Sequence, residues 1–237
     1  MIINMNPKKI YKLLLNNYGP QGWWPIFVMS KIRTNKMRIE NNLAYNIKWT
    51  NLKNHKTSFR DPYFEIALGA ILTQSTSWKS VAIAINNLYQ LKALTPKKYL
   101  ALPSDKLLSA IRPAGYFQQK AKKTKIFAEW LIKNYEGNIL NLKSKKLTTI
   151  REELLSQWGI GPETADSIIL YALNKPIFVI DEYTRRLCKI IGIEFKIYDE
   201  YRNYFEKGLD KEKNKIKMWQ EYHALIVASG KEKHPLF

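Results

Sequence analysis

Apolar residues recur along most of this chain at spacings of three and four, the period of helices that bury one face. Ile10, Leu13 and Leu14 mark a first helix over Pro7–Asn17, stopped by Tyr18-Gly19-Pro20. Phe64, Ala67, Leu68, Ile71 and Leu72 mark a second, opened by Asp61-Pro62, an N-cap with proline in the first turn. Trp78, Val81, Ala82, Ile85 and Tyr89 carry a third. A short helix is predicted over Ser104–Ile111 and a long one beyond Gly115, with Phe117, Ala121, Thr124, Ala128 and Leu131 facing inward. That assignment leaves Lys120, Lys122, Lys123 and Lys125 to solvent or phosphate. Two more helices fall around Tyr198–Leu209 and Lys213–Ser229. From Phe27 to Arg60 the period fades and Lys, Arg, Asn and Thr dominate, which predicts a solvated, partly ordered basic insertion. The predicted class is all-α.

The stretch around which the chain is organised lies at about 147–173. Leu147, Ile150, Leu154 and Trp158 recur at helical spacing, and so do Ala165, Ile168, Ile169 and Ala172. Between them Gly159-Ile160-Gly161-Pro162 forbids a continuous helix. The result is a helical hairpin whose turn exposes backbone N–H groups at a helix N-terminus, a nest suited to phosphate. A short apolar connection then leads to Asp181, which opens a helix with Tyr183, Leu187, Ile190 and Ile191 on its core face and Arg185 and Arg186 elsewhere. Read alone, an aspartate there is an N-cap.

Charge adds a partner to this picture. Lys+Arg 39 against Asp+Glu 20 gives a formal net charge of +19 and a pI near 9.8, which favours a polyanion through counterion release. Abundant Lys, Asn and Ile also fit an AT-rich coding source, so charge supports nucleic-acid binding without deciding it. Cys188 is the single cysteine, which excludes an intramolecular disulfide and a four-cysteine zinc or iron–sulfur site. His55, His223 and His234 show no ligand spacing. No apolar run approaches membrane-spanning length, and the cytoplasm, in association with the nucleoid, is the expected location. Gln21-Gly22-Trp23-Trp24-Pro25 places two tryptophans on a loop, either as core plugs or as an aromatic wall that stacks on an unstacked base.

The spacing G-I-G-x-x-T-A at Gly159–Ala165, followed by Asp181 eighteen residues after Glu163 and ahead of Arg185-Arg186-Leu187, resembles the helix-hairpin-helix DNA glycosylases of the endonuclease III-like superfamily. The string Ile111-Arg112-Pro113-Ala114-Gly115-Tyr116-Phe117 and the junction Leu72-Thr73-Gln74 extend the resemblance beyond the hairpin. It implies a helical barrel from 61 to 191 beside a second domain built from 1–60 and 192–237, with the site in the cleft. It further implies Asp181 as the catalytic carboxylate, Trp23, Trp24 and Glu163 in the base pocket, and Gln74 as the residue entering the gap left by an extruded nucleotide. Gly159, Gly161, Thr164, Lys120 and Arg185 become DNA contacts, and the turn carbonyls of Leu155, Gln157 and Ile160 become ligands of a monovalent cation.

Two departures narrow the resemblance. Glu163 stands where bifunctional members carry the lysine that attacks the sugar, and a carboxylate forms no imine, so the expectation is a monofunctional enzyme. After His223-Ala224-Leu225-Ile226-Val227 the cluster cysteines of many relatives are missing, so no iron–sulfur cofactor is expected. Together with Gly22-Trp23-Trp24-Pro25, this most resembles the cluster-free 3-methyladenine DNA glycosylase III group. The partner implied is double-stranded DNA carrying a damaged base, bound by a monomer away from any membrane. The competing expectations are a glycosylase for oxidised or deaminated bases and a non-catalytic helix-hairpin-helix DNA-binding protein.

Overall fold

The computed structural model describes residues 5–26, 45–46, 49–209 and 213–232. Among them the helices are α1 (Pro7–Tyr18), α2 (Pro62–Leu72), α3 (Trp78–Gln90), α4 (Pro96–Leu100), α5 (Ser104–Ile111), α6 (Phe117–Tyr135), α7 (Leu147–Leu155), α8 (Pro162–Ser167), α9 (Glu182–Ile190), α10 (Tyr198–Gly208) and α11 (Lys215–Lys231). A two-residue antiparallel pair, β1 (Pro25–Ile26) with β2 (Tyr45–Asn46), is the only regular sheet among the described residues. The class is all-α, as the pattern predicts.

α2 is the centre. Every one of its residues is buried, so it is apolar all round rather than striped. Asp61 caps it by accepting the N–H groups of Tyr63 and Phe64 at 2.9 and 3.3 Å, with Pro62 in the first turn. α3, α6, α8 and the turn that follows α8 pack around it. Gly69 sits where a side chain would meet Trp24 Nε1 and the Trp78 ring at 3.4 Å, so its bareness lets both indoles lie on the helix. α1 packs on α11 and α10, bringing the two ends of the described chain together.

The hairpin forms where expected, but with different ends. α7 stops at Leu155, so Trp158 falls in the turn and is exposed, with Lys122 Nζ 4.5 Å from the ring centroid. Helical spacing does not carry past a helix end, which is why Trp158 does not join the core with Leu154. On the other side the helix slackens into a π-turn at Ile168–Ala172, buried throughout. Arg151 ties the hairpin to its surroundings: its guanidinium holds Asp166 at 2.7 Å, inside the fold, and Asp199 on α10 at 2.8 Å.

Two expectations are corrected here. Residues 27–44 and 47–48 of the basic stretch lie outside the described residues, but its end is not a solvated excursion. Leu52 is in the core, and Arg60 is buried with its Nε 2.6 Å from Glu65 of α2. A charged residue can sit there because its partner is already in place. Lys120 does not face solvent either. It shares the inward face of α6 with Thr124, Phe127 and Leu131, at i+4, i+7 and i+11, and its ammonium ends on the carbonyl of Ala114 at 2.7 Å.

Candidate active site

Asp181 and the hairpin meet at the wall of a cleft of about 940 Å3. Its lining draws on the tryptophan loop, the α2–α3 junction, the start of α6, the hairpin, the start of α9 and the inner face of α11. Trp23, Trp24, Gln74, Lys120, Gly159, Glu163, Thr164 and Asp181 therefore share one cavity. Gly161 and Arg185 are not in its lining.

Asp181 is the N-cap of α9, so the bland reading of this residue is correct as far as it goes. Its Oδ1 accepts the N–H and the hydroxyl of Thr184, both at 2.7 Å. Its Oδ2 faces His223 Nε2 of α11 at 3.5 Å. Burial alone would push the carboxyl pKa up; the His223 ring and the two Thr184 donors outweigh it and hold the pKa below the ordinary aspartate value. An N-cap in a cavity wall is thus also a carboxylate kept charged with little water around it.

Glu163 supplies a second carboxyl in the same cleft. It is open to water in the cleft, yet the surrounding walls and the nearby Asp181 charge raise its pKa to about 7, against the pull of His223 and Arg185. Two acidic groups in one cavity thus differ in pKa: Asp181 is held below its ordinary value and Glu163 titrates near about 7.

The tryptophans divide the two roles proposed for them. Trp24 is buried, 5.3 Å from Trp78 and 5.0 Å from Tyr171 between ring centroids. Trp23 is only partly buried and stands edge-on to His223 at 5.7 Å, with Lys231 Nζ 5.9 Å from its ring centroid. Glu221 of α11 accepts the N–H groups of Gln21 and Gly22, which pins this loop to the last helix.

Gln74 has its amide fully occupied within the protein. Nε2 donates to the Gly159 carbonyl and to Thr164 Oγ1, each at 2.9 Å, and Oε1 accepts from Lys123 Nζ at 2.6 Å. Gly159 has φ +82, and a Cβ there would stand 2.6 Å from the Lys123 side chain, so only glycine lets the turn close on that lysine. Gln74 and Thr164, expected to touch DNA, here lock the α2–α3 junction to the hairpin. Arg185 is stacked over Tyr201 and Tyr198 of α10, 5.0 and 6.0 Å from the ring centroids.

In the turn, the first intrahelical bond of α8 runs from Ala165 N–H to the Gly161 carbonyl, so the N–H groups before it have no partner in the helix. Around Gly161 there is open space. The Gln157 carbonyl accepts the Ile160 N–H at 3.1 Å. Among the described residues no three or more His, Cys, Asp or Glu side chains gather as a metal site, and no helix is long and apolar enough to cross a membrane.

The profile of the HhH-GPD superfamily of base excision DNA repair proteins matches residues 68–211, which takes in the α2–α3 junction, the hairpin and Asp181. The chain belongs to this superfamily. Within it, a protein of Methanocaldococcus jannaschii named "Putative DNA repair glycosylase" is 40% identical over 227 residues, covering 94% of this chain and 86% of that protein. The HhH-GPD fold is also that of the Helicobacter pylori 3-methyladenine DNA glycosylase solved with 1,N6-ethenoadenine. The TM-score is 0.71 with 27% identity, covering 97% of this chain and 99% of that one. An endonuclease III–DNA complex shares the fold over 71% of this chain and 73% of its own, with TM-score 0.59 and 22% identity. The chain is accordingly an HhH-GPD base excision DNA repair protein, similar over most of its length to proteins named as DNA glycosylases.

Sequence reasoning missed His223 and Tyr116. His223 lacks ligand spacing, but as a polar residue inside the apolar run of α11 it needed a buried partner. Tyr116, exposed on the cleft rim with φ 46, follows a glycine, and that pairing was the available signal.

Replacing Gln74 by alanine leaves Lys123, the Gly159 carbonyl and Thr164 short of partners. We expect a stability loss of about 1–3 kcal/mol in urea denaturation. A variant as stable as the parent would show that this lock carries no weight.

Proposed function

We propose that this chain hydrolyses the N-glycosidic bond of a flipped, alkylated purine such as 3-methyladenine and leaves the abasic site uncut. What supports the reading is one arrangement: an ionised, buried carboxylate in the wall of a cleft that also holds Trp23, Glu163 and the hairpin turn. The H. pylori protein that shares the fold over nearly the whole chain is named a 3-methyladenine DNA glycosylase, which supports the same lesion class.

Breaking the bond builds positive charge on the sugar. Asp181 stabilises that oxocarbenium-like state and orients water towards it. An alkylated purine is already cationic and leaves without a strong general acid. The Trp23 face attracts such a cation by about 0.5–2 kcal/mol, and Glu163 adds a second negative charge when ionised. The turn N–H groups of Gly161 and Glu163 take a phosphate downstream of the lesion. The neutral carbonyls of Leu155, Gln157 and Ile160 suit a monovalent cation, which would brace that turn. Trp24, shut in by Trp78 and Tyr171, serves as the wall behind Trp23 rather than as the stacking face itself. No iron–sulfur cluster enters the scheme, since Cys188 is the single cysteine and is buried.

Three outcomes follow. Asp181→Asn should lose about 10²–10³ in single-turnover release of 3-methyladenine from methylated DNA; full release would remove the catalytic role, and DNA binding without release by the parent protein would favour a binding module. Release of oxidised or deaminated bases instead would move the substrate class. Borohydride added during reaction should trap no covalent protein–DNA adduct, because no amine occupies position 163; a strong adduct would make the protein a lyase. Glu163 loses its proton as pH rises through about 7, so affinity for a cationic lesion should rise across that window and Glu163→Gln should flatten the profile. An identical profile in the variant would exclude Glu163 from lesion recognition.

A further inference from the structure

Asp181 uses its two oxygens unequally. Oδ1 is clamped by both donors of Thr184 at 2.7 Å. Among the described residues Oδ2 meets the His223 ring alone, with Nε2 at 3.5 Å, longer than a well-formed N–H···O bond. Nε2 is itself buried and has no hydrogen-bond partner among the described residues. On the other side of the ring, Nδ1 lies 2.8 Å from the Tyr171 hydroxyl, which is 3.1 Å from the Gln220 carbonyl. Asp181, His223, Tyr171 and Gln220 are all buried. Gln220 donates in turn to the Leu170 carbonyl at 2.9 Å, fixing the π-turn that carries Tyr171.

Proton placement follows from counting. A lone pair on Nε2 opposite a carboxylate oxygen would be repelled across a buried gap, so Nε2 carries a proton. Tyr171 has one proton to give. Given to Nδ1, it leaves the neutral ring with its proton on Nε2; given to Gln220, it requires protons on both ring nitrogens and a positive charge beside Asp181. In each case the proton sits on Nε2, the ring nitrogen 3.5 Å from Oδ2. The other charged groups on this cavity are Glu163 from the hairpin, Glu182 from α9, Lys120 and Lys123 from α6 and Lys231 from α11.

We infer that His223, oriented by Tyr171, is the positioning residue that keeps Asp181 ionised, and that Oδ2 rather than Oδ1 is the oxygen that faces the reacting sugar. The Oδ1 clamp fixes the carboxylate plane. The loose 3.5 Å contact holds charge on Oδ2 while leaving its lone pairs to water or to the sugar carbon. The assignment of Oδ2 rests on the glycosylase reading; the His223–Asp181 coupling does not.

The experiment is a pH titration of the aspartate side-chain carbons by 13C NMR in the full chain, with the Asp181 signal assigned from Asp181→Asn. In His223→Gln the Asp181 midpoint should move to higher pH, and in Tyr171→Phe it should move the same way by less. Midpoints unmoved in both variants overturn the coupling. Should His223→Gln fail to fold by circular dichroism, the 15N imidazole spectrum of the parent decides: a proton on Nε2 supports the inference and a bare Nε2 overturns it. In the excision assay, His223→Gln should keep DNA affinity and lose rate progressively as pH falls, roughly tenfold for each pH unit by which the acid limb moves; a uniform loss at all pH values would reduce His223 to packing. A shifted Asp181 midpoint in a protein that releases no base would uphold the coupling and sink the glycosylase reading alone.

Discussion

A carboxylate that stays charged out of bulk water constrains everything near it. Removing an ion from water is expensive, and the expense is met only by donors already in position. Asp181 has three: the N–H and hydroxyl of Thr184 on its own helix and the ring of His223 on another. The local pair comes free with helix capping. The distant one does not, because it requires α9 and α11 to pack at a fixed spacing, and their packing shapes the cleft.

That requirement propagates outward. His223 is held by Tyr171, Tyr171 is carried by a π-turn, and the π-turn is held by Gln220 one turn earlier on α11. Elsewhere in the cleft lining, Gln74 and Lys123 lock the hairpin to the end of α2 and to α6. Rigid helices thus supply the positions while polar contacts between them set the angles. In a site built this way the place of the buried charge is set by how the helices pack.

Much of this was legible. Asp61-Pro62 predicted where α2 begins, and the bounds of α5 fall where the sequence placed them, because capping and helix-breaking chemistry is local. The hairpin and Asp181 were readable for the same reason. What escaped was non-local. The partner of Asp181 is on a helix buried on nearly all sides, where periodicity carries no orientation. Lys120 reads as a solvent residue by its type, although its spacing to Thr124 and Leu131 points inward. The role of Gln74 depended on a residue in the hairpin ninety positions away. Polar residues interrupting apolar runs, Tyr171 and His223 above all, were the unused clue.

The bond between Glu221 and the backbone of Gln21 and Gly22 spans about two hundred residues. Contacts of that reach form late, since the chain between them must first be gathered. During synthesis the tryptophan loop is made about two hundred residues before Glu221, so its anchor arrives long after it. A chain grown only through the hairpin and Asp181 therefore lacks the α11 side of the cleft and the His223 that faces Asp181. The side of the cleft that is made late is thus the one that steadies its carboxylate.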